Sequence, residues 1–249
     1  MGVIRKSEWD SEHFGIKVGR YMPHTIDDVL PDIDFAKNDD YDLLIARIRT
    51  DQVGLINEIE ETKFKLKDAI VEYILNLDNV EFFEHKGSFK IRKATEHDVE
   101  HVKTIAYDSF KDYIGHFHKN MALNRKKCDE LYVKWAENSI RDKNVADVVF
   151  IAENKEYKLG FGTVKTISDE ESRGVLFGTT PEARGRGVYT ELLKEAINWS
   201  KRKMSKLFVY GTQINNYIAQ NVLIKLGFKI LSSFYTFHLW IKDLDKNKK

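Results

Sequence analysis

The apolar positions after Gly187 fall at Tyr189, Leu192, Leu193, Ala196 and Ile197. Spacings of three and four residues place them on one face, so this segment is expected to be an amphipathic helix. The same spacing predicts a helix over "DQVGLINEIEETKF", where Val53, Ile56 and Ile59 align. A second follows Thr95, where Val99, Val102, Ile105 and Ala106 form a stripe. Thr95 and Asp98 stand three apart, as a capped helix start requires. "CDELYVKWAENSIRD", with Leu131, Trp135 and Ile140, reads as a further helix, and "NYIAQNVLIKLG" as another that Gly227 stops. "TIDDVLPDIDFAK" opens like a helix capped at Thr25, with Pro31 expected to interrupt it.

Between these segments lie runs rich in β-branched and aromatic residues: "IKVGRYM", "YDLLIARIR", "LKDAIVEYILNL", "SFKIRK", "DVVFIAEN", "KLGFGTVKTI", "RGVLFGTT", "KLFVYGTQ" and "FKILSSFYTFHLWI". The last is expected to form one or two strands. Regular patterning lapses between about Asn76 and Ser88. The expected division is therefore a small α/β domain over residues 1–86 and a larger domain over 87–249. Two segments, "FKLKDAIVEYILNL" and "FKILSSFYTFHLWI", follow a helix and open on Phe-Lys. A degenerate half-copy would explain the echo, and so would chance similarity between β-rich segments. The closing "KDLDKNKK" reads as a frayed polar tail.

Composition narrows the classes. With 42% hydrophobic residues in 249, the chain can build real cores. Its 40 basic and 39 acidic residues nearly cancel, which argues against nucleic acid or a membrane surface as partner. The single cysteine, Cys128, excludes an internal disulfide and a cysteine-rich zinc site. No metal is expected. The first fifteen residues lack the apolar run of a signal peptide, and no apolar stretch reaches membrane-spanning length. A cytoplasmic protein is the expectation.

One turn stands out. "TTPEARGRGVYT" joins a strand to the amphipathic helix and holds Arg184, Gly185, Arg186 and Gly187 in succession. The first amides of a helix and its dipole attract anions. Glycines let the backbone approach such a group, and arginines add charge-assisted bonds to phosphate oxygens. A diphosphate is the natural guest. The turn is neither a dinucleotide-binding fingerprint nor a Walker loop, whose glycine and lysine spacings differ.

This segment resembles the acyl-CoA motif of the GNAT N-acetyltransferase superfamily, Arg/Gln-x-x-Gly-x-Gly/Ala. Arg184 and Gly187 match, whereas Tyr189 departs from the final small residue. The order of elements from about 88 to 241 resembles that fold too. The resemblance implies an α/β (α+β) protein whose GNAT fold has a mixed, mostly antiparallel central sheet flanked by helices, preceded by the smaller α/β domain. It implies acetyl-CoA or another short acyl-CoA as co-substrate, with the pyrophosphate on amides around Arg184 to Val188. A backbone amide of Phe177, Gly178 or Thr179 would face the thioester carbonyl, and Tyr189, Gln213 and Asn216 would complete the coenzyme A site.

"WDSEHFGIKVGR", "FHK…LYVKWAENS" and "TQINN…KLGF…SFYTFHLW" resemble bacterial N-acyltransferases acting on dTDP-linked amino-dideoxy sugars. That implies transfer to a 3- or 4-amino-dideoxyhexose for surface polysaccharide, such as O-antigen lipopolysaccharide. Another amine acceptor and a non-catalytic acyl-CoA-binding module remain alternatives. An amino sugar titrating at roughly 8 is partly neutral at pH 7, so a strong base is not essential. Many GNAT enzymes protonate the leaving thiolate with a Tyr seven residues after the helix-opening Asn. Counted from Asn216, that position is Leu223, which cannot donate a proton. His238, Tyr235 and Tyr217 are the candidate polar groups; His238 and Tyr235, three apart, point to opposite faces of a regular strand.

Substrate candidates each carry a plainer reading. His116 and His118 sit in "GHFHKN" without metal-ligand spacing and fit a surface loop as well as a sugar or diphosphate contact. Tyr132 and Trp135, on one helix face, fit core packing first. Phe14 fits an anchor of the N-terminus, and Asn216 a helix cap. Oligomeric state is not legible in the sequence; a homodimer is only a guess.

Overall fold

The structure is a computed structural model that describes residues 2–244. Of the tail "KDLDKNKK", read above as frayed, Lys242 and Asp243 belong to a 3-10 turn over Ile241–Asp243 whose end Lys63 holds by bonds to the Asp243 and Leu244 carbonyls, and residues from 245 onward lie outside the described residues. In chain order the elements are β1 (Val3–Lys6), α1 (Glu8–Phe14), β2 (Val18–Met22), α2 (Val29–Asn38), β3 (Leu43–Arg49), α3 (Val53–Glu61) and β4 (Lys65–Asn76). There follow β5 (Lys90–Lys93), α4 (Val99–Phe110), α5 (Arg125–Arg141), β6 (Val148–Glu153), β7 (Lys158–Thr166) and β8 (Glu171–Thr179). The last are α6 (Val188–Arg202), β9 (Leu207–Gln213), α7 (Tyr217–Lys225) and β10 (Lys229–Trp240). The fold is of the α/β class anticipated from the pattern. β1 and α1 escaped the sequence reading, since neither four nor seven residues show a period. β10 is a single strand. Pro31 does not interrupt α2. A 3-10 turn over Ile26–Asp28, closed by the Thr25/Asp28 capping box, precedes the helix, so Pro31 falls in its first turn, where a missing N–H costs nothing.

The chain divides into two compact units, and neither is a continuous segment. Unit 1 comprises Met1–Val71, Ile114–Cys128 and Ser232–Lys249; unit 2 comprises Glu72–Tyr113 and Asp129–Leu231. This differs from a break at residue 86. Residues 76–88 lack regular strands because side chains of α6 hold them. Asn198 bonds both the N–H and the C=O of Phe83 (2.9 and 2.8 Å), and Glu191 accepts from the Lys86 amide at 3.0 Å.

In unit 1, β1 pairs antiparallel with β2, β2 parallel with β3, and β3 antiparallel with β10. Register sorts the residues by face. Tyr21, Ala46 and Phe237 are neighbours across three strands and belong to the apolar core beneath α2 and α3, with Ile33, Leu55 and Ile59. The alternate row is Arg20, Ile45 and His238, followed by Arg47 opposite Thr236. Successive residues of a strand face opposite ways, so this second row occupies the other side of the sheet. Segment 114–128 is pinned by Phe14, whose ring lies 4.9 Å from Phe117, and by His13, which meets the Lys127 carbonyl at 2.6 Å.

In unit 2 the strands run β9-β8-β7-β6-β5, antiparallel except for the parallel β8/β9 pair that α6 connects. The sheet is thus mixed and mostly antiparallel. Its core joins Val102, Ile105 and Ala106 of α4 to Val149, Ile151, Phe161 and Leu176. Arg92 on β5 ties α4 to the sheet through two bonds of 2.8 Å to Asp98 and bonds of 2.8 and 2.9 Å to Glu153.

The Arg92 guanidinium holds the Asp98 carboxyl well below its usual range. Arg92, and then Lys158, bring Glu153 down to about 2. Carboxylates depressed in the fold contribute stability that is complete above their unfolded values near 4 and fades as pH falls through the folded ones. We therefore expect denaturant unfolding to show stability falling below pH 4.5, and Arg92→Met to lose much of that dependence between pH 7 and pH 3.

Candidate active site

The site in unit 2 begins where two strands part. β8 and β9 are paired from Glu171/Leu207 to Gly174/Tyr210 and no further, although β8 continues to Thr179 and β9 to Gln213. At the same level β8 bulges: Gly174 faces Val164 of β7 and Phe177 faces Gly162, so two residues of β8 oppose Thr163 alone. The displaced Leu176 amide turns to the Thr163 hydroxyl at 2.9 Å.

Beyond the bulge, alternation decides which amides remain. The Thr180 N–H donates to the Leu159 carbonyl at 3.0 Å, and Gly178 opposes Phe161 two positions back in the same register. Antiparallel pairs alternate between bonded and non-bonded, so the Gly178 amide points into β7 while those of Phe177 and Thr179 point to the side that β9 has left. Of the three alternatives named for the amide facing a thioester carbonyl, Phe177 and Thr179 thus point to the open side and Gly178 points into β7. The Thr179 carbonyl, on that same side, accepts from Ser109 at 2.9 Å.

The turn after β8 has the same selectivity. A 3-10 turn spans Pro181–Ala183; the Arg184 amide donates to the Pro181 carbonyl at 3.2 Å, and the Arg186 amide to that of Ala183 at 3.3 Å. Among the described residues, the amides of Gly185, Gly187, Val188, Tyr189 and Thr190 have no backbone or side-chain acceptor. Gly185 and Gly187 take φ of 73° and 77°, which L side chains rarely adopt, and a Cβ on either would meet nothing within 4 Å. The glycines are needed for backbone direction, and the space before them is open. Arg184 and Arg186 are exposed and make no ion pair with a described residue. A row of donors flanked by two exposed guanidinium groups fits a diphosphate.

Tyr189 points back toward the bulge. Its ring is 6.1 Å from Phe177, which lies 5.4 Å from Tyr210. Burial pushes the Tyr210 hydroxyl up to about 12 and the Tyr189 hydroxyl well above its usual value, so both stay protonated. Tyr189 thus closes the base of the gap between the strands. Gln213 is buried, and its carbonyl takes the Asn216 amide at 3.0 Å. Asn216 caps α7, accepting from Ala219 at 3.3 Å and donating to Thr212 at 3.0 Å. Leu223 is fully buried. Tyr217 is 69% exposed at the first turn of α7. Tyr132 and Trp135 pack on the unit's core, Tyr132 stacking 4.7 Å from Phe110. That is the packing role of their two readings.

The remaining candidates lie in unit 1. Tyr235 packs against the core beside Phe237, on the face opposite His238. Phe14 is buried. His118 is buried and accepts the Gly115 amide at 3.1 Å, a bond that shapes its own loop. His238 is 2% exposed and has both ring nitrogens engaged: Nε2 with His116 Nδ1 and Nδ1 with the Asn120 amide, each at 2.8 Å. Burial, then Arg20 and Lys67, bring its pKa to about 3. It is a fixed neutral ring with both nitrogens engaged, so of the candidate polar groups it is poorly placed to carry a proton. The parted strands, the bulge and the sheet row were missed from sequence because all three depend on pairing across strands. Among the described residues no group of three or more His, Cys, Asp or Glu could hold a metal ion, and no helix is long and apolar enough to cross a membrane.

Residues 89–229, more than half of the chain, match the model of the acetyltransferase (GNAT) domain. The chain belongs to the GNAT acetyltransferase family. It is therefore an N-acyltransferase with acetyl-CoA as co-substrate. It is 22% identical over 205 residues to the spore coat polysaccharide biosynthesis protein SpsD of Bacillus subtilis, covering 81% of this chain and 68% of that protein. An uncharacterized N-acetyltransferase of Methanocaldococcus jannaschii is 24% identical over 188 residues, 73% of this chain and 75% of the relative. Two solved structures share the fold. A GCN5-related N-acetyltransferase from Sphaerobacter thermophilus has a TM-score of 0.68 at 10% identity, over 96% of this chain and 76% of that one. A tandem GNAT protein from the clavulanic acid biosynthesis pathway has 0.62 at 12%, over 90% and 75%.

Arg184→Ala and Arg186→Ala are each expected to raise KM for acetyl-CoA about tenfold with kcat little changed, since a charge-assisted bond made equally before and during reaction affects binding alone. Steady-state kinetics checks this.

Proposed function

We propose that the GNAT enzyme described here transfers an acetyl or other short acyl group to the amine of a nucleotide-linked amino sugar, a dTDP-linked 3- or 4-amino-dideoxyhexose, for a surface polysaccharide. In this reading the amides of Gly185, Gly187 and Val188, with Arg184 and Arg186, hold the coenzyme A pyrophosphate. The Phe177 or Thr179 amide polarises the thioester carbonyl. Acyl-CoA supplies an activated carbonyl with a thiolate leaving group. The chain's part is to orient that carbonyl and place donors where negative charge develops. With Leu223 at the usual acid position, protonation of the thiolate falls to water.

The likeness to a spore coat polysaccharide biosynthesis protein over 81% of the chain carries the sugar assignment. It extends well beyond the 89–229 domain, which favours a shared acceptor class over a shared cofactor alone. The sequence likeness to dTDP-amino-sugar acyltransferases points the same way.

Mixing the protein with acetyl-CoA and a panel of dTDP-amino sugars should release free thiol with at least one of them. Release only with polyamines or peptide N-termini would move the acceptor to another class. Coenzyme A binding with no turnover on any amine would leave a binding module.

A further inference from the structure

We infer that the polar face of the unit 1 sheet, presented by Arg20, Arg47, Thr236, Lys67 and the tip of His116, is a binding site for an oxyanion carried by the acceptor substrate. The inference rests on the acyltransferase reading for its role, and on hydrogen-bond polarity for its chemistry.

The polarity can be followed atom by atom. The indole N–H of Trp240 donates to Asn120 Oδ1 at 2.9 Å, and the Ala122 amide donates to the same oxygen at 3.3 Å. Both groups can only donate, which fixes the side-chain amide of Asn120 with its nitrogen toward His238. That nitrogen donates to His238 Nδ1 at 2.8 Å, so the proton of the neutral His238 ring is on Nε2. His238 Nε2 then donates to His116 Nδ1 at 2.8 Å. The proton of the neutral His116 ring is left on Nε2, an atom with no protein partner that is not enclosed. Both rings are neutral near pH 7. Burial lowers each, helped at His116 by His238, Arg20, Arg47 and His118, and at His238 by Arg20 and Lys67. His116 therefore presents a fixed N–H. It cannot accept a proton from an amine there, and it recognises an acceptor atom.

The surroundings contain further donors. Arg20 and His238 flank Ile45 in one row across the sheet, and Arg47 stands opposite Thr236 in the next. Arg20 also lies 5.8 Å over the Phe117 ring. Lys67 lies on β4, the strand next to β10 in the sheet order, is half-buried and makes no ion pair with a described residue; burial and then Lys65 lower its pKa. The nearby carboxylates are committed. Asp10 takes Arg20 at 2.5 Å and Ser7 at 2.6 Å, and Asp68 takes Lys119 at 2.9 Å. A second observation is independent of charge. The Thr236 hydroxyl is fully buried on this same face and has no hydrogen-bond partner. Buried hydroxyls are nearly always bonded, so an orphan beside Arg47 marks a place where a ligand oxygen or its water belongs. Donors without free acceptors suit phosphate or carboxylate and repel an ammonium.

The test is calorimetry on the full chain saturated with coenzyme A, so that the α6 turn is already filled. Inorganic pyrophosphate is the first probe and succinate the second. At least one is expected to bind. Lys67→Ala and His116→Phe are each expected to weaken it about tenfold, the loss of one charge-assisted or fixed bond. His116→Gln, whose amide can accept from His238 and still donate outward, is expected to retain most of the affinity. Pyrophosphate binding indicates a nucleotide-linked acceptor, and succinate binding alone a carboxylated one; both support the site. No binding of either probe, or binding indifferent to all three substitutions, overturns it. Thiol release from a dTDP-amino sugar is measured in parallel. If it persists without oxyanion binding, this site is wrong and the proposed function stands; if it is absent while probe binding responds to the variants, the reverse holds.

Discussion

Backbone amides that point away from both their own sheet and their own helix must find an acceptor elsewhere, and unit 2 is arranged around two sets of them. Phe177 and Thr179 lose β9 as a partner because pairing stops at Gly174 and Tyr210. Gly185, Gly187 and Val188 lose theirs because two left-handed glycines turn the chain outward before α6 begins. Were such groups buried, each would cost about 1–3 kcal/mol. They are affordable only beside water or a ligand rich in oxygens. The first set is suited to a carbonyl and the second to phosphoryl oxygens.

Unit 1 solves a different problem with the same sheet geometry. One face is mainly apolar and packs on α2 and α3, with Tyr21 bonded to the buried Asp32. The other carries Arg20, Arg47, Thr236 and His238 at alternate positions. Because the strand period is two, a one-residue slip would exchange the two faces, so the apolar core also holds the polar row in place. The Trp240–Asn120–His238–His116 chain adds direction: each member's proton is set by the one before, starting from an indole that has no alternative.

Local signals were legible in the sequence. The stripe of α6, the capping boxes at Thr25 and Thr95 and the Gly227 stop depend on neighbours within a turn, and each element stands where it was expected. The Arg184–Gly187 turn was legible for the same reason. The units were not, because 114–128 and the described residues from 232 onward return to the N-terminal part from far along the chain. Nor was His238 correctly weighted. Its residue type suggested proton transfer, and only the positions of Asn120 and His116 reveal that both nitrogens are occupied. The bulge opposite Thr163 and the parting of β8 from β9 are properties of pairing, which a single strand's pattern cannot express.

The central claim concerns where the cofactor's diphosphate rests. A crystal structure with coenzyme A bound tests it most directly. The account predicts pyrophosphate oxygens about 3 Å from the amide nitrogens of Gly185, Gly187 and Val188, with the pantetheine arm entering between β8 and β9. Diphosphate density elsewhere, with those amides facing only water, would contradict it.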